Sequence, residues 1–100
     1  MFSYYSATFE EEDEMFLGWF DPDRKKSARE KLEEGMERYE EKFGKPPTLV
    51  LTNPDDAEAL RQPSRAYPGE PPLPVIEANF VARWTFYIGT EQDLHTGLAA

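Results

Sequence analysis

The chain has 100 residues, a mass of 11.6 kDa, a formal net charge of −9 and a mean hydropathy of −0.73. This length predicts one domain over 1–100 with a single small core. The acidity argues against nucleic-acid binding, because Lys and Arg must displace the counterions of the phosphates. The chain has no cysteine, which excludes disulfides, thiolate catalysis and cysteine-ligated metal sites.

The sequence contains no run of about 18 apolar residues, so we expect no transmembrane helix and no membrane partner. The first residues lack the basic and continuous apolar regions of a signal peptide. The expected location is therefore the cytoplasm.

The first 23 residues carry seven acids and neither Lys nor Arg. The aromatic segment 1–9 has the alternation of a strand. The acids Glu10 to Glu14 are predicted to form an extended, solvated coil, because like charges repel one another. A coil of this kind does not supply the converging oxygens that a metal ion needs, so we expect no metal site there.

The segment 27–44 has the pattern of an amphipathic helix. Ser27 and Glu30 fit a capping box at its start, and Gly44 followed by Pro46 fits its end, which predicts a helix over about 28–43. Four large apolar residues recur at helical spacing along one face: Leu32, Met36, Tyr39 and Phe43. The opposite face reads as solvated charge.

The apolar run 48–52 predicts a strand buried on both faces. Asn53 as a cap and Pro54 as the first helical residue predict a short helix over about 54–61. Five prolines between 62 and 74 predict a loop without regular structure.

The C-terminal third predicts two strands and a tail. Residues 75–78 read as a strand, and 80–89 alternate strictly between two faces, as a long strand does. If the long strand lies at a sheet edge, it can pair with a second copy. Residues 90–100 read as a flexible tail. The fold class that follows is α+β, a mixed α/β arrangement: one long helix on a small mixed sheet of about three to four strands, with a second short helix.

Candidate sites for chemistry are weak. Asp55 and Asp56 follow a strand, where paired acids can hold Mg²⁺, but acids in the first turn of a helix also serve to cap it, and capping is the favoured interpretation. His95, the one histidine, lies in the predicted tail. We therefore predict no catalytic residue, no metal and no cofactor.

Aromatic side chains beside acids are typical of interaction segments. On this basis the predicted partner-binding residues are Phe16, Trp19 and Phe20. Trp84 is added to them as a core or interface residue of the predicted long strand. The alternative is that Phe16, Trp19 and Phe20 pack on their own domain, because a chain with few apolar residues needs its rings in the core.

Residues 18–54 resemble a pattern of small uncharacterised bacterial proteins, in which an aromatic–acid opening precedes a helix, a proline and a short apolar strand. The matching residues are Trp19, Phe20, Asp21, Tyr39, Phe43, Gly44, Pro47, Asn53 and Pro54. The closing residues 84–89 are similar to the last strand of such proteins. The resemblance covers about half of the chain and implies a bacterial origin and a compact α/β domain, but no activity.

The leading hypothesis is a non-enzymatic, acidic module for protein interaction or assembly, with a homodimer as one form of it. One alternative is an acidic inhibitor or regulator that mimics nucleic acid, which the charge of −9 favours. The other is a small metal-dependent enzyme that uses Asp55 and Asp56.

Overall fold

The computed structural model describes residues 9–12, as backbone, and residues 16–94. Within these ranges the chain forms a five-stranded sheet in the order β1-β2-β5-β3-β4, with two helices. The strands are β1 (Phe9–Glu12), β2 (Leu17–Phe20), β3 (Leu49–Thr52), β4 (Val75–Glu77) and β5 (Thr85–Gly89). The helices are α1 (Ala28–Phe43) and α2 (Pro54–Arg61). The predicted α+β class is confirmed, with one strand more than the three or four expected.

The sheet is mixed. β1 pairs with β2, β2 with β5, and β5 with β3, all antiparallel. β3 and β4 are parallel, and α2 connects them. Parallel neighbours need a crossover, and here the short helix supplies it.

Both helices have the ends that the sequence predicts. The Ser27 side chain accepts a hydrogen bond from the Glu30 N–H at 3.1 Å, and the Gly44 N–H donates to the Glu40 carbonyl at 2.9 Å. Gly44 has a φ of 70°, a left-handed conformation that glycine adopts without a Cβ clash. At the start of α2, the Asn53 side chain accepts from the Asp55 N–H at 2.9 Å.

Two apolar clusters cover the two faces of the sheet. The main cluster lies under α1 and α2, and its fully buried members include Leu17, Leu32, Tyr39, Val50, Leu60, Phe86 and Ile88. The smaller cluster lies on the other face and joins Phe16, Leu49 and Leu94, with Leu51 and Tyr87 packed against it. Since neighbouring residues of a strand point to opposite faces, Phe86 and Tyr87 belong to different clusters.

The structure corrects the predicted coil of the acidic segment for the residues that it describes. The predicted strand over 1–9 lies outside the described residues except for Phe9. Glu10, Glu11 and Glu12, predicted as a coil, form β1 with Phe9. The backbone pairing with β2 overrides the local repulsion, and an edge strand can keep charged residues at the sheet boundary.

The long strand predicted over 80–89 is also wrong in its first half. β5 begins at Thr85, and Trp84 before it has a φ of 64°. Phe80, Ala82 and Trp84 therefore do not share a strand face with Phe86. β5 pairs on both sides, with β2 and β3, so it cannot pair with a second copy as an edge strand.

The remaining segments are irregular or short. Residues 62–74 contain no helix or strand. Residues 91–94, the first part of the predicted tail, form a helical turn in which Leu94 is buried, while 95–100 lie outside the described residues. In the described ranges, neither helix has the length and apolar character required to cross a bilayer.

Gly35 sets the distance between α1 and the sheet. A Cβ on Gly35 would lie 2.6 Å from Ile88 Cδ1 and 3.0 Å from the Trp19 ring.

We expect Gly35→Ala to lower the free energy of unfolding by about 1 kcal/mol. Overpacking costs roughly 1–3 kcal/mol, and the higher helix propensity of alanine offsets about 1 kcal/mol of that cost. Urea denaturation measures this, with Gly69→Ala as the control, since nothing lies within 4 Å of Gly69. An unchanged or raised stability of Gly35→Ala would contradict the close approach.

Candidate functional site

The side chains of Phe16 and Trp19 pack in the core of their own domain. Phe16 is 7% exposed and meets the edge of the Tyr87 ring at 5.8 Å between ring centres. Trp19 packs from the other face of the sheet against the main cluster, beside Gly35. Phe16, just before β2, and Trp19 in β2 therefore lie on opposite faces of the sheet and do not form one continuous patch.

Phe20 and Trp84 lie near each other at the end of β2, and both are half-buried. Phe20 pairs with Thr85, and the Asp21 N–H donates to the Trp84 carbonyl at 3.0 Å. The Arg83 guanidinium lies 5.2 Å from the centre of the Trp84 ring, and the Lys31 ammonium 5.9 Å from it. The structure thus places Phe16 and Trp19 in the core and brings Phe20 and Trp84 together as a half-buried pair at the end of β2.

A polar cluster holds the backbone of Trp84. Its N–H donates to Asp56 Oδ2 at 2.6 Å, while Asp56 Oδ1 accepts from Arg83 Nε at 3.3 Å. Asp56 is 3% exposed and Asp21 is fully buried. A left-handed backbone at a bulky residue costs on the order of 1–3 kcal/mol, so it persists only where its surroundings impose it. Here the Asp56 carboxylate accepts from the Trp84 N–H, and the backbone N–H of Asp21 donates to the Trp84 carbonyl.

Lys31 completes this cluster and is only 4% exposed. Burial lowers the pKa of its ammonium, and the negative charge of Asp21 offsets part of that effect. The lysine therefore places one positive charge near the Trp84 ring, which offsets part of the negative charge of the two buried aspartates.

The metal alternative finds no support in this geometry. Both oxygens of Asp56 are occupied by protein donors, and the Asp55 side chain is 74% exposed and faces Arg83 at 3.6 Å. Within the described ranges, no three His, Cys, Asp or Glu residues are grouped to hold a metal ion. Asp55 and Asp56 belong to the capped start of α2 and to the Trp84 turn. His95 lies outside the described residues.

The candidate binding site is instead a groove along the exposed face of α1, which we call the α1 groove. It has a volume of about 520 Å³ and lies between α1 and the loop 62–74. Its lining is acidic with two larger side chains: Glu30, Glu33, Glu34, Glu37, Glu40, Met36 and Tyr67. Residues spaced by three or four positions share a helix face, so these acids line up along the groove.

Tyr67 forms the loop side of the groove, and Arg29 holds it in place. The Arg29 guanidinium lies 5.0 Å from the centre of the Tyr67 ring and donates to the Gly69 carbonyl at 3.1 Å. Arg29 Nε also pairs with Glu33 at 3.0 Å. The hydrogen bond between Arg29 and Gly69, which are 40 positions apart in the sequence, therefore fixes the loop that faces the helix.

The acids of the groove differ in their partners. Glu33 pairs with Arg29, and Glu34 pairs with Lys26 at 2.8 Å. Glu30, Glu37 and Glu40 have no ion pair with another described residue. The sequence identified this face only as solvated charge. The sequence shows that the acids recur at helical spacing, but it does not show that Tyr67 lies opposite them.

Searches against protein-family models, curated proteins and solved structures found no match for this chain.

The Trp84 turn provides a test of the polar cluster. We expect Asp56→Ala to lower the free energy of unfolding by about 2–3 kcal/mol, because it leaves the Trp84 N–H without an acceptor and removes the partner of Arg83 Nε. Asp55→Ala is the matched control and should cost less than about 1 kcal/mol, since its exposed ion pair is screened by solvent. Urea denaturation of both variants measures the difference, and equal losses would exclude a special role for Asp56.

Proposed function

We propose that this protein is a non-enzymatic interaction module that binds a basic segment of a protein partner in the α1 groove. The observation that carries the proposal is the row of glutamates along a rigid, capped helix, facing a fixed aromatic ring. A cytoplasmic location and a bacterial origin are part of the same proposal.

The chemistry of the groove favours a peptide with alternating basic and apolar side chains. Glu30, Glu37 and Glu40 offer carboxylates to Lys or Arg, and charge-assisted hydrogen bonds of this kind are the stronger ones. Met36 offers a flexible apolar contact and Tyr67 an aromatic one. A nucleic acid would meet like charge at Glu30, Glu37 and Glu40 in the groove.

Pre-organisation supports binding here. Capping at both ends fixes α1, and Arg29 fixes Tyr67, so little side-chain or loop ordering remains for the moment of association. Reducing that ordering cost is a main route to affinity in small interfaces. Complementary charge also raises the rate of encounter with a basic partner.

The nucleic-acid mimic is the second candidate, because the acids lie in a row on one rigid element. Glu30 to Glu40 spans about 15 Å of helix axis at roughly 1.5 Å per residue. Five acids lie along that length, but Glu33 pairs with Arg29 and Glu34 pairs with Lys26. The remaining acids Glu30, Glu37 and Glu40 give about one charge per 7.5 Å of helix axis, against one per roughly 3.4 Å for a single DNA strand. The row therefore fits a basic peptide better than it imitates a duplex.

The test is binding of a synthetic peptide that alternates Arg with Leu, measured by fluorescence anisotropy at two salt concentrations. We expect Glu37→Gln/Glu40→Gln to weaken binding about tenfold, which corresponds to about 1.4 kcal/mol. Both residues are exposed, so the fold should persist. Higher salt should weaken binding to the unaltered protein, because screening reduces the charge attraction.

The control is Glu58→Gln/Glu91→Gln, which removes the same charge at exposed positions outside the groove. Equal weakening by both double variants would show that net charge alone attracts the peptide, and would reject the groove. Release of DNA from a basic DNA-binding protein, without peptide binding, would favour the mimic instead.

A further inference from the structure

Among the strands of the described residues, β4 is the last in the sheet, and part of its backbone faces outward. The Val50 N–H donates to the Pro74 carbonyl at 3.1 Å, and the Ala78 N–H donates to the Thr52 carbonyl at 2.9 Å. Residues 74, 76 and 78 therefore direct their backbone groups toward β3. Because alternate residues of a strand point their N–H and C=O groups in opposite directions, Val75 and Glu77 direct theirs away from the sheet.

The same edge carries exposed apolar side chains. Ile76 is 47% exposed and Phe80 is 70% exposed, and they are the exposed large hydrophobic residues of the described ranges. Val75 packs toward the main cluster, so Ile76 points to the face of the sheet opposite the helices. Both exposed residues thus lie within or just after β4, whose outer edge pairs with no other strand of the described residues.

We propose that two copies of this chain associate through their β4 edges, antiparallel, about a two-fold axis at Ile76. In this register Val75 of one copy and Glu77 of the other face each other as a hydrogen-bonded pair, and the same pair recurs across the axis. A two-fold interface uses the same residues on both sides, so the outward N–H and C=O groups of β4 must pair with those of a second β4. The N–H and C=O of Val75 in one copy meet the C=O and N–H of Glu77 in the other.

Charge and shape at the edge fit the second copy. Arg61 donates to the Val75 carbonyl at 3.3 Å and pairs with Glu77 at 2.8 Å. The axis brings Arg61 of one copy beside Glu77 of the other, so the ion pair can extend across the interface. The Val75 carbonyl has a second lone pair for the incoming N–H.

The ends of β4 are complementary as well. A cavity of about 610 Å³ lies at the start of the strand. It is lined by the charged Arg61 and Glu70 and by the apolar residues Pro71, Pro72, Leu73, Pro74 and Val75. Phe80 follows the other end of the strand. An antiparallel arrangement places the Phe80 end of one copy beside the proline-lined end of the other, where an exposed ring finds apolar surface.

The opposite edge of the sheet does not suit this pairing. β1 carries Glu10, Glu11 and Glu12, so two β1 edges would bring like charges together, which is unfavourable across strands. Acidic residues are a common protection of sheet edges against association. The pairing surface is therefore β4, which lies on a different part of the molecule from the α1 groove.

The first experiment is sedimentation equilibrium of the full chain at low and high salt. Each copy carries a net charge of −9, so the dimer should strengthen as salt screens the repulsion. Ile76→Lys puts two like charges at the axis and should leave only monomer. Ala59→Lys, at an exposed position of α2, is the control with the same charge change and should still form the dimer.

The second experiment fixes the register. Facing residues that are not hydrogen-bonded to each other lie about 4.5 Å apart between Cα atoms. A disulfide accepts about 4.4–6.8 Å. Ile76→Cys in this cysteine-free chain should therefore form a covalent dimer on mild oxidation, whereas Ala59→Cys should not. A monomer at every concentration and salt, or equal crosslinking of both cysteine variants, would overturn the proposal. Because neither experiment involves the peptide, failure of the α1 groove would leave this result unaffected.

Discussion

Hydrogen bonds of the Trp84 backbone connect the segment after β2 to helix α2 at the start of β5. Its carbonyl accepts from Asp21 after β2, and its N–H donates to Asp56 in α2. At the next residue, the Thr85 carbonyl accepts from the Thr52 hydroxyl at 2.7 Å, at the end of β3. One tight turn therefore fixes the position of β5 between β2 and β3. The buried charges of Asp21 and Asp56 are tolerated because cations and backbone donors surround them.

Local rules predicted the helices closely. The Ser27 cap, the Gly44 terminus and the Asn53–Pro54 start act within a few residues, so the sequence alone places α1 and α2 at their observed bounds. The strands depend on distant partners. Alternation over 80–89 predicted one strand, but a carboxylate 28 positions away bends the chain at Trp84. Likewise, β1 forms from acids because β2 supplies the pairing.

The α1 groove was predictable only in part. The spacing of the glutamates follows from the helix, and a reader of the sequence can place them on one face. The groove itself requires Tyr67, which arrives from a loop without regular structure and is held by Arg29. No local pattern encodes such a contact. The predicted aromatic residues do not lie in one patch, because Phe16 and Trp19 are three positions apart in an extended segment and so lie on opposite faces of the sheet.

The two proposed surfaces have a geometric consequence when taken together. A two-fold axis that joins sheet edges into one continuous sheet runs along the sheet normal, so both helix layers lie on the same side. The α1 grooves of the two copies then face the same direction. A partner with two basic segments could occupy both, and the second contact would form at a raised effective concentration. Modest affinity in each groove is then sufficient for tight binding, which suits a shallow, charged site on a small domain.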